Sequence, residues 1–266
     1  MPHNNCFAVT IAIAGSIGMA TAAEATCVGV GQGPIALDDL IQHKTGAVAH
    51  LWGKENMTFL PGEDGRPGAV LRVGFPAGSY SPGQSRVRGG AGFEFRAASL
   101  GANAACLSYR VRFPAGFDFV KGGKLPGLFG GDNPRGCVNA KASGFSARLM
   151  WRAAGAGELY LYVPGHDARC GQSIGRGTWT FQTGKWTNIK LLVVMNSPGA
   201  ANGSLEVWVD GNSVVKADGM MLGTPTTSGG GLFFSTFFGG ADASWATPRG
   251  QAVDFADFVF TSHGSK

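Results

Sequence analysis

FSARLMWRAAGAGELYLYVP, residues 145–164, is the stretch that decides the fold. Phe145, Ala147, Leu149 and Trp151 alternate with Ser146, Arg148, Met150 and Arg152. Leu159, Leu161 and Val163 then alternate with Glu158, Tyr160 and Tyr162. A period of two is a β-strand with one apolar and one polar face. Two such strands joined by AAGAG (153–157) read as a hairpin. Pairing Arg152 with Glu158 across that loop sets Met150 against Tyr160 and Arg148 against Tyr162. Directly opposed residues share a face, and an odd register would bury the arginines. One open face therefore collects Ser146, Arg148, Tyr160 and Tyr162.

The same period recurs outward from the hairpin. Strand signals fall at 69–75, 105–113, 178–182, 186–195, 205–209, 214–216, 231–238 and 253–261. In 105–113, Leu107, Tyr109, Val111 and Phe113 lie on one side, and Cys106, Ser108, Arg110 and Arg112 on the other. Asp210-Gly211 makes a hairpin turn. Residues 61–92 read as loops around short strands. The stretch around residues 35–43 reads as a short helix. Glycine is 44 of 266 residues, about twice ordinary usage, which suits many short strands joined by turns. The expected fold is all-β: one jelly-roll sandwich of two antiparallel sheets spanning 23–266, with a concave cleft.

Residues 7–20, FAVTIAIAGSIGMA, are apolar but too short to cross a bilayer, which needs about 20 residues. A small-residue motif ends at Ala22. Residues 1–22 therefore read as a secretory signal peptide, although they carry no Lys or Arg, and the mature protein is expected outside the cell. No other segment suits a membrane. Cys27, Cys106, Cys137 and Cys170 would then form two disulfides in one of three connectivities. Their spacing is too wide for a zinc ribbon. The net charge of +5 favours an anionic partner, and the absence of a Lys/Arg run argues against nucleic acid.

A face of Arg and Tyr suits one chemistry in particular. Removing the C5 proton of a uronate requires that the neighbouring carboxylate be neutralised. Arg and Lys bind carboxylate and stabilise the enolate-like charge that develops. A base takes the proton, and an acid protonates the departing glycosidic oxygen. Tyr serves as either when a nearby cation lowers its pKa. The scheme requires no metal or cofactor and leaves a structural calcium ion open. Cross-strand Tyr–Arg pairs are also ordinary sheet decoration, and it is the coincidence of two Tyr, an Arg and a Ser that raises the catalytic reading.

The runs GGKLPGLFGG (122–131), FSARLMWR (145–152) and GELYLYVP (157–164) resemble polysaccharide lyase family 14. SIGRGTWTFQTGKW (173–186), GSLEVWVDG (203–211) and GLFFSTFFGG (231–240) extend the resemblance over roughly residues 100–260. That family includes alginate lyases and glucuronan-cleaving lyases, and glucuronan lyase family 20 shares its fold. The resemblance implies a jelly roll whose concave cleft carries Lys124, Ser146, Arg148, Tyr160 and Tyr162. Tyr162 would transfer the proton, with Tyr160 assisting. Lys124 and Arg148 would neutralise the uronate carboxylate, and Ser146 would help hold substrate. The implied partner is an acidic polysaccharide, the implied state a monomer.

Other residues carry less. Arg86 and Arg88 are candidate anion contacts, and Trp245 a candidate sugar-stacking residue. Arg135 is a candidate for the cleft rim. His166 has a turn context; His43, His50 and His263 have no partner pattern. Asp254 and Asp257 do not resemble a glycosidase carboxylate pair, and Glu158 is the one acid on the Tyr face. The competing classes are a jelly-roll module that binds acidic glycan without cleaving it, a glycoside hydrolase and a structural wall protein.

Overall fold

The computed structural model describes residues 35–42, 48–63, 65, 68–96, 104–137, 143–165, 170–224, 227 and 230–263. The expected signal peptide, Cys27, His43 and His166 lie outside them. Among the described residues, no helix is long and apolar enough to cross a membrane.

Two seven-stranded antiparallel sheets face each other. The first runs in the order β1 (Val48–Trp52), β4 (Ala91–Arg96), β13 (Gly230–Phe238), β6 (Gly122–Gly130), β7 (Phe145–Arg152), β8 (Gly157–Tyr162), β9 (Gln172–Ile174). The second runs β12 (Asn212–Met220), β11 (Gly203–Val209), β10 (Trp186–Val194), β5 (Ala104–Arg112), β14 (Gln251–His263), β3 (Val70–Phe75), β2 (Met57–Leu60). The non-consecutive neighbours are the crossovers of a jelly roll. One helix, α1 (Leu37–Gln42), is shorter than the sequence suggests and buries Leu37 and Ile41, four apart on one face.

Alternation puts one face of every strand into the space between the sheets. Leu107, Tyr109, Val111 and Phe113 are buried there, as are Ala147, Leu149, Trp151, Leu159 and Leu161. Trp151 sits among Phe75, Phe113, Phe117 and Phe238, with ring centroids 5.3 to 6.2 Å away. The Asp210-Gly211 turn forms as expected, with both residues at positive φ and Val209 paired to Asn212.

The structure corrects the register of the key hairpin. Arg148 pairs with Tyr160 and Ser146 with Tyr162, two residues from the register expected. The loop is shorter than AAGAG: Arg152 N–H already bonds Ala156, and Ala153–Gly155 turn tightly with Ala154 and Gly155 left-handed. A shift of two leaves every side chain on its expected face. The 178–182 segment makes one isolated bridge, Ala156 to Thr180, because it hydrogen-bonds that tight turn through Trp179 and Phe181.

Strand β6 breaks the period. It pairs Lys124 with Met150 but Gly127 with Arg148, so one extra residue is accommodated. Pro126 lies in this bulge, a position that asks for no ladder N–H. Tyr109 donates its hydroxyl to the Pro126 carbonyl at 3.1 Å from the opposite sheet. Leu125 and Leu128 both reach the core, while Lys124 and Gly127 both belong to the concave face. Gly127 has no room for a side chain: a Cβ there would run into the Ala147 carbonyl and Arg148.

Trp151→Ala removes the aromatic keystone between the sheets. It is expected to lower unfolding stability by about 3–5 kcal/mol in urea melts. Leu51→Ala, at an exposed position, is expected to change it by less than about 0.5 kcal/mol.

Candidate active site

Successive ladders align one row of residues across the first sheet. Glu94, Phe233, Gly127, Arg148, Tyr160 and Ser173 are direct partners from β4 to β9. Strands lie about 4.8 Å apart, so the row spans about 24 Å. The next row, toward the β7–β8 turn, brings Lys124, Met150 and Glu158 side by side. Lys124, Arg148, Tyr160 and Tyr162 therefore meet, as the sequence suggests.

Arg148 is the centre. It is 3% exposed, and its Nε has no hydrogen-bond partner. Its guanidinium carbon lies 4.5 Å from the Phe233 ring centroid. Among the described residues no carboxylate pairs with it. Burial lowers its pKa to about 10, partly opposed by Tyr162 and Tyr160, so it stays charged at neutral pH.

Lys124 sends its Nζ over the Tyr160 ring, 4.1 Å from the centroid, and to within 2.9 Å of the Met150 sulfur. Burial first, and then the charges of Arg148 and Arg152, hold its pKa well below the ordinary lysine value. Tyr160 moves the other way. Burial and the neighbouring Tyr162 push its hydroxyl up to about 12, against the opposing pull of Arg152 and Arg148. The expectation that adjacent cations lower a tyrosine pKa here thus fails for Tyr160, because desolvation outweighs them.

Tyr162 stacks edge-on against Tyr160, with centroids 5.5 Å apart, but it is 7% exposed. Its hydroxyl accepts the Cys137 N–H at 3.2 Å. Ser146 is fully buried and donates to the Pro134 carbonyl at 2.6 Å. Both residues hold the 131–137 loop. The Cys137–Cys170 disulfide ties the same loop to the segment after β8. Cys106 is disulfide-bonded too.

Trp245 is half-buried at one end of the cluster. The Arg152 guanidinium lies 5.9 Å from the centroids of both Trp245 and Tyr160. Arg86 and Arg88 are exposed on the loop between β3 and β4, and no described contact joins either to this cluster. Asp254 belongs to the other sheet, where Arg72 and Arg112 hold it at 2.7 and 2.8 Å. Asp257 pairs with Arg110 at 2.6 Å.

Of the two buried acids of the concave face, Glu158 is the one that alternation places beside the tyrosines, and Glu94 is not singled out by the sequence. Glu158 is fully buried, with Arg152 on one oxygen and Ser173 and Arg176 on the other at 2.5 and 2.6 Å. Burial alone would raise its pKa. Hydrogen bonds from Arg152, Ser173 and Arg176 and the Arg152 charge hold it below the ordinary range. Glu94 is 2% exposed and bonds Arg135 at 2.7 Å, Asn133 at 2.9 Å and Arg96 at 3.2 Å. Each is a structural counter-charge to its arginines. The turn that brings Arg176 to Glu158 and the loop that brings Asn133 to Glu94 leave no periodic signal. Arg135 does stand at the rim of this face, 5.5 Å from the Phe233 centroid.

A jelly roll with an aromatic, cationic concave floor is the architecture of a polysaccharide lyase. The model of the family Polysaccharide lyase 14 matches residues 64–258, and the chain belongs to that family. The marine PL-14 alginate lyase from Aplysia kurodai is 32% identical, with a TM-score of 0.70 over 90% of this chain and all of that one. Alginate lyase vAL-1 from Chlorella virus is 23% identical, with a TM-score of 0.75 over 86% and 98%. Endo-β-1,4-glucuronan lyase from the fungus Trichoderma reesei is 11% identical, with a TM-score of 0.54 over 80% and 90%. The last two bear on the fold. No curated protein sequence matches the chain.

Removing the Glu158 charge leaves Arg152, with a largely buried side chain, uncompensated. Glu158→Gln is expected to destabilise by about 3 kcal/mol at neutral pH. The folded pKa of Glu158 is the lower one, so its contribution is complete above the unfolded value of about 4.3 and is lost as pH falls through the folded value. Urea melts should therefore show the wild-type advantage intact above about pH 5 and shrinking below about pH 4.

Proposed function

We propose that the protein is a secreted, endo-acting lyase that cleaves a 1,4-linked polyuronate, alginate or glucuronan, by β-elimination. The observation that carries the reading is Arg148: a buried guanidinium without a carboxylate partner among the described residues, one strand from Tyr160. A substrate carboxylate supplies the missing counter-charge and is itself neutralised, which acidifies the adjacent C5 proton. The Aplysia relative, an alginate lyase by name, supports the substrate class. The bonded cysteines accord with an oxidising, extracellular compartment.

The two shifted groups divide the proton work. Lys124, easily deprotonated, takes the C5 proton with its free amine. The electron pair forms the C4–C5 double bond as the C4–O bond breaks. Tyr160, which keeps its proton up to about pH 12, donates it to the departing oxygen. The products are an unsaturated 4-deoxy end and a free hydroxyl, and no water is consumed. The resemblance to the family assigned carboxylate neutralisation to Lys124 and proton transfer to Tyr162. Lys124 takes the base role here because its pKa is lowered and its amine lies 4.1 Å from the Tyr160 ring centroid. Tyr162 then steadies Tyr160, Ser146 steadies the loop, and Trp245 offers a stacking face for a sugar at the end of the site.

Mature protein incubated separately with alginate, glucuronan and a neutral glucan should raise ultraviolet absorbance, from the new C4–C5 double bond, on a polyuronate alone. Tyr160→Phe and Lys124→Met should each lower kcat by about 10²–10⁴-fold, with Tyr162→Phe costing less. The rate should rise with pH as Lys124 loses its proton, along a limb well below the ordinary lysine value of about 10.4. A flat trace on every polyuronate, with binding retained, would leave a glycan-binding module instead.

A further inference from the structure

The concave face holds more cations than one elimination step uses. Arg135 and Arg96 stand at the β4 side of the central row, and Arg152 and Arg176 at the β8–β9 side. Each pair converges on one buried glutamate. The two glutamates are almost wholly out of water, yet three of their four arginines are not. The Arg135, Arg96 and Arg176 side chains are 42, 46 and 55% exposed. A surface ion pair usually has both partners in water and little geometric preference. Here the anion is fixed beneath the surface, and Arg135 and Arg176 each reach it through one nitrogen while their side chains stay partly in solvent. Arg135 donates to Glu94 through Nη1 only, and Arg176 to Glu158 through Nε only.

We infer that Glu94 and Glu158 are positioning residues that hold Arg135 and Arg176 upright as outer carboxylate receptors, on either side of the central receptor Arg148. The inference rests on the polyuronate reading above and extends it from one subsite to a track. Along the row, Glu94 lies three strand steps from Arg148, and Ser173, beside Arg176, lies two steps away on the other side. The stations thus span about 24 Å of sheet. A polyuronate carries one carboxylate on every sugar, so a chain laid across the strands meets cations before, at and after the reacting unit. Binding energy gathered at the outer stations is remote from the bond that breaks. It holds the chain in register without changing the chemistry. The geometry also accounts for two concave-face carboxylates that take no part in proton transfer. A bare anion facing a polyanion would repel it, whereas each of these is covered by two guanidiniums.

The test is steady-state kinetics on a polyuronate that the wild type cleaves. Arg135→Ala and Arg176→Ala, both at exposed side chains, should each raise KM about tenfold, the factor that one charge-assisted hydrogen bond is worth. Their kcat should stay within about twofold of wild type. The KM penalty should weaken on shortened oligomers that no longer reach the lost station. Glu94→Gln should raise KM as Arg135→Ala does, and the double variant should add nothing further. A glutamate with a merely structural role would lower the melting temperature and leave KM unmoved. Wild-type KM in both arginine variants, with an active wild type, overturns the track and leaves the lyase reading standing. A wild type inactive on every polyuronate sinks that reading, and the track with it.

Discussion

Arg148 sits in the floor of a sheet with no carboxylate among the described residues to answer it, and that arrangement destabilises the chain that carries it. An ion removed from water is several kcal/mol dearer unless something replaces the lost hydration. The other large cations of the concave face are answered: Arg152 and Arg176 by Glu158, Arg96 and Arg135 by Glu94. On the opposite sheet Arg72 and Arg112 share Asp254. Arg148 has the quadrupole of Phe233 beneath it and its neighbouring tyrosines, which is a partial answer. Arg148 is held in place by rigid construction. β-Ladders on both sides fix its backbone, and Gly127 lets the β6 backbone lie directly against it.

The shifted groups follow from the same construction. A low-dielectric floor disfavours whichever form is charged. It holds Lys124 toward the neutral amine and Tyr160 toward the neutral phenol. One constraint thereby prepares a base and an acid beside a fixed cation, in residues separated by a single strand. The 131–137 loop is the second layer of that construction. Ser146 and Tyr162, although they stand on the same face as Arg148, direct their hydroxyls to this loop, and the Cys137–Cys170 bridge closes it. Their value is positional, which is why a face-sharing argument alone overstates their contact with substrate.

The hairpin was legible in the sequence because its two strands keep strict alternation, and alternation alone sorts Arg148 and both tyrosines to one face. Its register was not. Whether five residues or three form the turn depends on Ala154 and Gly155 taking left-handed conformations, and Ala154 gives no warning of that. β6 was legible only as a motif around Lys124, since the bulge at Pro126 puts Leu125 and Leu128 on the same side and cancels the period. Glu158 was legible as the acid beside the tyrosines, with Arg152 near it, but Glu94 was not, because Asn133 and Arg135 reach it from a loop whose placement is set by tertiary packing. Arg88, attractive by charge alone, belongs to an exposed loop with no described tie to the site.

Pairing of Arg148 with a substrate carboxylate is tested by a double-mutant cycle on binding. In a Tyr160→Phe background, which holds substrate without cleaving it, the affinity of a uronate oligomer and of its methyl ester would be measured by calorimetry, with Arg148 and with Arg148→Gln. Esterification should weaken binding strongly when Arg148 is present, and much of this penalty should disappear in Arg148→Gln. An esterification penalty of equal size in both proteins would contradict it, and would place the carboxylate somewhere other than on Arg148.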